Sequence, residues 1–332
     1  MRLVVTSDVH VHPWAAFSSL TESGINARLQ DTLQVFDHVR RLAIESRADA
    51  IIFAGDLFHV QKIEAEVLAL TSNALETLGT LGVPILAIEG NHDQAARVRQ
   101  LTSTSALRVP ANWKWLRDEV VNVKGTLIWG ASFGHKGTPP TPVDIAIMHR
   151  GILGAEVSDY FISPFEDDLD PDKAIDYAKR LVICGHYHKP QLIEGTPTLL
   201  VPGAPLQHTW SDAGQDRGIW TVEITASSVN PTFVPLPFPK FIRVSKPEDT
   251  AQVPGNFVEV DCVGLDVSNI GPARSIAVKA SDPVATRPTA ERIQVGTDLE
   301  TAVRAYVEKF GQNDEALKKL GLDLLNRASI SH

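Results

Sequence analysis

Five short apolar segments of this 332-residue chain are each followed, within three positions, by aspartate, asparagine or histidine. In the clearest case, residues 51–54 are all apolar and are followed by Gly55 and Asp56. An uninterrupted apolar run of this length predicts a strand that is buried on both faces of a parallel sheet. The carboxyl ends of such strands are where α/β sheets place their functional groups. The other cases are residues 3–5 before Asp8 and His10, 84–88 before Asn91 and His92, 145–148 before His149, and 181–184 before His186 and His188.

Helical spacing separates the first three predicted strands. Apolar residues recur every three or four positions from Leu29 to Ala43 and again from Val67 to Leu81, which predicts two amphipathic helices. Strand, helix, strand, helix and strand in this order indicate an α/β fold class with right-handed crossovers. Further strands are predicted within residues 125–133, 198–201, 218–225 and 232–236, and a short helix over residues 172–179.

The last hundred residues divide differently. Prolines at positions 235, 237 and 239 predict a boundary that closes a domain over residues 1–238. Alternating apolar residues predict three short strands in a small α+β domain over residues 239–282, and residues 283–297 are a polar linker. Apolar residues at helical spacing over residues 298–332 predict a helical hairpin.

Charge and cysteine content limit the environment of the chain. A formal net charge of −9 argues against holding nucleic acid by bulk electrostatics, although basic residues outnumber acidic ones between residues 97 and 124. Cys184 and Cys262 are the only cysteines, which predicts no disulfide framework and a reducing, cytoplasmic location. The first strand begins after Arg2, and no apolar run approaches the ~20 residues of a membrane span, so neither a signal peptide nor a membrane is expected.

The polar residues after the strands form a mixed set of oxygen and nitrogen donors. Such a set suits Mn, Fe or Zn better than Ca or Mg, and the absence of cysteine argues against a structural zinc. Asp8 and His10 are two positions apart, so their side chains face the same way, as do those of His186 and His188. A set this rich can hold two ions about 3.5–4 Å apart that share one carboxylate. Asp56 is predicted to be the shared carboxylate because it follows a central strand.

The chain's motifs are Asp8-x-His10, Gly55-Asp56, Gly90-Asn91-His92-Asp93, His149 and Gly185-His186-x-His188. In this order they resemble those of the calcineurin-like metallophosphoesterase superfamily. The resemblance covers residues 1–190 and implies a double β-sheet sandwich flanked by helices, with two divalent metal ions. It implies Asp8, His10, Asp56 and His188 as ligands of the first ion, and Asp56, Asn91, His149 and His186 as ligands of the second. His92 is implied as the proton donor to the leaving oxygen, a role that suits histidine because it titrates near neutral pH.

One branch of this superfamily is more similar than others. Gly55-Asp56-Leu57-Phe58-His59 resembles the second motif of SbcD-type nuclease subunits of double-strand-break repair, where the histidine at the His59 position orients substrate. Residues 201–205 resemble that branch's Pro-Gly-Ser turn, with Ala204 in place of serine. The resemblance implies a Mn-dependent DNA exonuclease and single-strand endonuclease that forms a homodimer. It also implies that residues 239–282 are a capping domain and that residues 298–332 bind an SbcC-type coiled-coil ATPase.

Several assignments stay open at this level. Arg97 and Arg99 are candidate phosphate contacts for DNA. His12 and His208 are each either pocket residues or ordinary loop histidines. A metallophosphodiesterase or phosphatase that acts on a small nucleotide or a phosphoprotein is the alternative function, and a non-enzymatic scaffold is a third. The extra domain and tail argue against a small substrate, and the complete ligand set argues against a scaffold.

Overall fold

The computed structural model describes residues 1–94, 102–158, 161–162, 168–261 and 273–278. Arg97, Arg99, the predicted linker 283–297 and the predicted hairpin 298–332 lie outside the described residues. Met1–Ala280 form one compact unit. Within the described part of the chain, neither α-helix has the length and hydropathy that a membrane span requires.

The secondary structure confirms the predicted strands and both amphipathic helices, with modest shifts at their ends. In the first half of the chain, the elements are β1 (Arg2–Thr6), α1 (Ala27–Ser46), β2 (Ala50–Ala54), α2 (Ala65–Gly79), β3 (Ile85–Ile88), a 3₁₀ turn (Ser103–Ala106), β4 (Trp113–Trp115), β5 (Glu119–Val123), β6 (Thr126–Ala131) and β7 (Ile145–His149). In the second half, they are β8 (Glu156–Ser158), β9 (Phe161–Ile162), a 3₁₀ segment (Pro171–Asp176), β10 (Leu181–Gly185), β11 (Gln191–Ile193), β12 (Thr198–Val201), a 3₁₀ turn (Trp210–Asp212), β13 (Gly218–Ile224), β14 (Val229–Pro235), β15 (Phe241–Val244), a 3₁₀ segment (Pro247–Gln252), β16 (Phe257–Val260) and β17 (Ser275–Val278).

The first sheet has the strand order β14-β13-β1-β2-β3-β4. Strands β1 to β4 are parallel neighbours, and β13 pairs antiparallel with β1. Asn26 caps helix α1, because its side chain accepts the backbone N–H groups of Arg28 and Leu29 and so satisfies two donors of the first turn. Both helices bury their apolar faces against the outer side of this sheet, with Val35, Phe36, Leu75 and Leu78 fully enclosed.

The second sheet has the strand order β11-β12-β10-β7-β6-β5 and packs face to face on the first. Strands β6, β7, β10 and β12 are parallel neighbours. Aliphatic residues from both sheets fill the layer between them, among them Val5, Ile52, Ile88, Ile147 and Ile183. The α/β double β-sheet sandwich is therefore confirmed, and the five strands that end in polar residues are divided between its two sheets.

The outer side of the second sheet carries the short helix predicted over residues 172–179, in a shorter form. It is a 3₁₀ helix, Pro171–Asp176, which ends three residues before the predicted end. Asp170 caps this segment by accepting the N–H of Asp172, and β10 begins at Leu181, which leaves little chain for a longer helix. Ala174 and Tyr177 still pack on the sheet beside Trp129.

Strands β15, β16 and β17 form a small parallel sheet, which confirms the three short strands predicted after residue 238. The rings of Phe241 and Phe257 stack with their centroids 4.8 Å apart. Phe241 also contacts Trp210, at 4.8 Å, and Phe17, at 5.8 Å, so aromatic packing joins this sheet to the sandwich. The assignment of residues 239–282 as a separate capping domain stays a prediction.

Candidate metal centre

The carboxyl ends of β1, β2, β3, β7 and β10 meet at one edge of the sandwich, and the side chains that follow them gather there. Each of the predicted metal ligands contacts at least one other within this group. The set consists of Asp8, His10, Asp56, Asn91, His149, His186 and His188. The structure therefore brings these residues together at one edge, and their role as metal ligands stays a prediction.

The Asp56 carboxylate lies in the middle of this cluster. Its Oδ1 accepts the backbone N–H of His92 at 2.9 Å. Its Oδ2 lies 3.8 Å from Nε2 of His10 on one side and 3.2 Å from Nε2 of His149 on the other. The cluster has two halves, the first with His10 and His188 and the second with Asn91, His149 and His186. One oxygen of Asp56 thus faces both halves, which is the position that a shared ligand requires.

The two halves differ in their donor atoms. In the first half, Nε2 of His10 and Nε2 of His188 lie 3.1 Å apart. In the second half, Oδ1 of Asn91 lies 3.2 Å from Nε2 of His149 and 3.1 Å from Nδ1 of His186. Each half therefore offers two imidazole nitrogens, and the second adds an amide oxygen.

The buried charge in this cluster fits divalent cations. Asp8 is fully buried and Asp56 is 2% exposed, and no Lys or Arg of the described chain forms an ion pair with either. Oδ2 of Asp8 accepts the N–H of His186 at 3.2 Å, but Oδ1 has no hydrogen-bond partner in the described part of the structure. A buried carboxylate oxygen without a partner is costly unless a cation neutralises it. Donor atoms of Asp8, His10 and His188 lie within 4.8 Å of one another, as do those of Asp8, Asp56 and His149.

Burial and neighbouring charged groups shift the pKa values of two of these histidines in opposite directions. Burial alone lowers the pKa of His149, but the neighbouring Asp56 and Asp8 carboxylates outweigh burial and raise this pKa to about 9. Burial and the surrounding histidines hold the pKa of His10 well below its usual value. His10 is thus neutral and ready to ligate, whereas an ion that binds His149 at neutral pH displaces a proton.

The backbone at the ends of β1 and β2 adopts an unusual conformation. Asp8, His10 and Asp56 have φ angles of 51°, 49° and 49°, in the left-handed region that side chains disfavour. Such residues cost of order 1–3 kcal/mol each, and other contacts must hold them. Here the N–H of Asp8 donates to the carbonyl of Gly55 at 3.0 Å, and that of His10 donates to the carbonyl of Asp56 at 3.1 Å. The two strand ends are therefore held side by side, with their carboxylates turned into the cluster.

Two glycines allow this close approach. A Cβ atom at Gly90 would lie 2.0 Å from Oδ1 of Asp56, and one at Gly185 would lie 2.0 Å from the carbonyl oxygen of Ala54. Any side chain at these positions would displace the loops that carry the ligands. The Gly-Asn-His-Asp and Gly-His motifs need glycine for this steric reason.

A buried carboxylate, Asp93, joins two of the ligand loops. It accepts the backbone N–H groups of Leu57, Phe58 and Gly90 at 3.2, 3.0 and 2.9 Å. Burial and the nearby Asp56 raise the pKa of Asp93 to about 7 despite these hydrogen bonds. Its place in the Gly-Asn-His-Asp motif was visible in the sequence, but its role as a clamp between the two loops was not.

A second support was missed entirely by sequence reasoning. Arg217 donates to Oδ1 of Asp212 at 2.6 Å, and both side chains are nearly fully buried. Oδ2 of Asp212 accepts the N–H groups of His208 and Thr209 at 2.8 and 3.0 Å. Arg217 also donates to the carbonyl of His188, and Nδ1 of His188 lies 4.0 Å from Asp212. An isolated Asp and Arg five positions apart carry no motif, so only the fold reveals that they hold the first half of the cluster.

The remaining histidines line the same rim. The rings of His59 and His92 stack at 5.3 Å with an angle of 17° between their planes, and Nδ1 of His92 lies 2.7 Å from the carbonyl of His59. His12 lies 5.1 Å from His59. His208 is buried, with Nε2 3.2 Å from the carbonyl of Asp8, so it belongs to the wall of the cluster.

Comparison with known proteins places the chain in a family and leaves its finer function open. A family model described as calcineurin-like phosphoesterase matches residues 1–190. The DNA double-strand break repair protein Mre11 of Haloferax volcanii is 42% identical over 66 residues, which are 20% of this chain and 15% of that protein. Mre11 of Archaeoglobus fulgidus is 36% identical over 106 residues, or 29% of this chain and 20% of that protein. The uncharacterized metallophosphoesterase YhaO of Bacillus subtilis is 22% identical over 250 residues, or 70% of this chain and 60% of that protein.

Matches to solved structures are more distant. A dimetal phosphatase from Danio rerio has a TM-score of 0.44 and 7% identity, and the match covers 70% of this chain and 98% of that structure. The nuclease MPE of Pseudomonas putida has a TM-score of 0.33 and 16% identity, with 70% and 84% of the two chains covered.

The Asp56→Asn variant tests the shared position. An amide at this point cannot neutralise two cations, so the variant should retain at most one divalent ion per chain where the wild type retains two. The measurement is elemental analysis after loading with Mn and desalting. Asp172→Asn, an exposed acidic residue of the 3₁₀ segment, is the control and should retain both ions. Two tightly held ions in Asp56→Asn would contradict the shared position.

The Arg217→Ala variant tests the buried support. Removing one partner of a buried ion pair leaves the other charge unpaired, so unfolding free energy should fall by about 3–5 kcal/mol. Arg41→Ala breaks the exposed Arg41–Glu45 pair, whose side chains are 50% and 55% exposed, and should cost less than about 1 kcal/mol. The free energy of unfolding of both variants is measured by urea denaturation with EDTA present. Equal decreases in this free energy would show that the buried pair stabilises the fold no more than the exposed pair does.

Proposed function

The chain belongs to the calcineurin-like phosphoesterase family, and from this membership we propose that it is a Mn-dependent DNA nuclease. The family and the cluster of candidate ligands support a hydrolase that uses two divalent metal ions. DNA as the substrate, exonuclease and single-strand endonuclease cleavage, and Mn as the metal are the proposed part. The local matches to two Mre11 proteins, named for DNA double-strand break repair, support this choice.

The observation that carries the proposal is the pair of rings above the cluster, His92 and His59. The carbonyl of His59 can only accept a hydrogen bond, so Nδ1 of His92 must carry a proton. Nε2 is then the ring nitrogen through which His92 would donate to the leaving oxygen of a phosphodiester. The hydrogen bond from the N–H of His92 to Asp56 fixes this ring relative to the shared carboxylate.

The residues around the cluster would divide the work of hydrolysis among them. Bound divalent ions would supply Lewis-acid stabilisation of the phosphoryl oxygens and an activated water. Asp8, His10, Asp56 and His188 would hold one ion, and Asp56, Asn91, His149 and His186 the other. His92 would deliver the proton to the leaving group, and His59 would orient the strand that enters the site.

Partners are part of the same proposal. A chain with a net charge of −9 has a weak general attraction for duplex DNA, so a second subunit that grips the duplex would complement it. We propose an SbcC-type coiled-coil ATPase for this role and a homodimer of the present chain.

The proposal is tested by incubating labelled duplex and single-stranded DNA with the protein and Mn, with and without the cognate ATPase. Progressive shortening of the strands is expected, faster with the ATPase on duplex. A cyclic nucleotide and a phosphopeptide are assayed in parallel. If either is hydrolysed far faster than DNA, the enzyme is a small-substrate phosphodiesterase or a phosphatase.

The His92→Ala variant tests proton donation. It should keep both metal ions, because the predicted ligands remain, and should lose about 10²- to 10⁴-fold in kcat, the usual contribution of a general acid. His38→Ala, which removes a helix histidine that packs on Phe238, should retain wild-type kcat. An unchanged kcat in His92→Ala with metals bound would reject the acid role.

A further inference from the structure

A cavity of about 690 Å³ opens beside the second half of the metal centre. His149 and His186 form part of its wall, so whatever fills it lies next to a group bound at the ions. The loop after β6 forms its rim, and the 3₁₀ segment Pro171–Asp176 contributes Lys173. The volume is within the range of about 300–1,000 Å³ that is usual for ligand pockets.

An exposed aromatic ring stands at the mouth of this cavity. Phe133 is 39% exposed, and its ring centroid lies 6.0 Å from that of His186 and 6.2 Å from that of His149. Its backbone is fixed on both sides, since its N–H donates to the carbonyl of Glu89 at 2.8 Å and its carbonyl accepts from Gln94 at 2.8 Å. An apolar ring held in place beside a polar site offers a flat surface on which a base can stack.

The charged side chains that line the cavity are mostly cationic. Among the described residues, the charged lining consists of Lys136, Arg150 and Lys173 and one carboxylate, Asp168, which already accepts the hydroxyl of Tyr187. Lys173 lies 3.9 Å from the nearest oxygen of Asp170 and is 71% exposed, so this ion pair is loose. Lys136 has no carboxylate partner among the described residues.

This local charge runs against the character of the chain, whose net charge is −9. Positive charge gathered in one concave place in an acidic protein indicates an anionic ligand. An aromatic platform and cations together, next to a phosphoester site, match the two parts of a nucleotide. Neither a purely apolar ligand nor a free phosphate would use both.

We propose that this cavity binds the nucleotide adjacent to the scissile phosphodiester, with its base stacked on Phe133. Lys136 and Lys173 would contact the next phosphate of the strand, and Arg150 lines the same cavity. The proposal rests on the proposed nuclease function and extends it, because it names the part of the protein that distinguishes a nucleotide chain from other phosphoesters.

The test uses substrates that share one leaving group and differ in the nucleoside. Methyl 4-nitrophenyl phosphate has no base, whereas thymidine 5′-(4-nitrophenyl phosphate) and its 3′ isomer carry one. Phe133→Ala should lower kcat/KM for at least one thymidine ester by about tenfold or more, mainly through KM, the scale of one lost stacking contact. It should change the methyl ester less than about twofold, and Phe133→Tyr should retain the wild-type preference. Leu192→Ala, at an equally exposed residue of β11, is the control.

The cations are tested with a thymidine ester that carries a second phosphate. In the wild type, this second phosphate should lower KM. Lys136→Gln should abolish that decrease in KM. Lys246→Gln, which changes an exposed lysine of the small-sheet region, should leave the decrease unchanged. Both are surface substitutions, so thermal melting should match that of the wild type.

The outcomes separate the two proposals. Equal losses on methyl and thymidine esters would mean that Phe133 only shapes the metal centre, and no loss on either would mean that the cavity takes no nucleoside; both overturn the inference. If Phe133→Ala and Lys136→Gln both cleave DNA at the wild-type rate, the proposed role of the cavity is wrong and the proposed nuclease function stands. A thymidine preference that depends on Phe133 in an enzyme that does not cut DNA would support the cavity and reject the nuclease.

Discussion

Two carboxylates that are buried among histidines, without an arginine or lysine partner in the described chain, are the constraint on which the rest of this structure depends. Asp8 and Asp56 lie where the ends of β1 and β2 meet the second sheet. Taking such charges out of water costs several kcal/mol per ion unless opposite charge compensates. His149 supplies part of that charge by holding a proton, and divalent cations supply it more completely. The centre is therefore costly to fold empty and gains stability when it is loaded.

This cost explains why so much of the surrounding structure serves to hold the loops. Three left-handed residues would relax if they were free, yet hydrogen bonds between the strand ends and the clamp of Asp93 keep them in place. The pair of Asp212 and Arg217 does the same for the loop that carries His188. The apolar layer between the two sheets gives these loops a rigid base, since packed interiors transmit rather than absorb displacement.

The sequence predicted the features that arise from neighbouring residues, and it did not predict the contacts between residues that are far apart in the chain. Apolar runs that end in Asp, Asn or His predicted the strands and the cluster, because each run is a local pattern and its polar ending is adjacent in sequence. Strands β1, β2 and β3 lie in one sheet, and β7 and β10 lie in the other. Only the family resemblance predicted two sheets, since periodicity does not specify which strands pair. Arg217, Asp212 and Phe133 have no local signature, and their roles arise from contacts across the fold. The short helix expected over residues 172–179 is present as the 3₁₀ helix Pro171–Asp176, and the sequence of so short a stretch does not distinguish this form from an α-helix.

The charges of the site also impose an order on binding. A phosphodiester is an anion, and Asp8 and Asp56 repel it until cations occupy the centre, so metal loading must precede productive substrate binding. The cavity beside His149 and His186 is different, because its lysines attract an anion whether or not the centre is loaded. Under the proposed function, a strand would be held by its neighbouring nucleotide before its scissile phosphate is engaged. In an acidic chain, this separation of roles would let a small positive surface select the substrate while the negative centre stays available for metal.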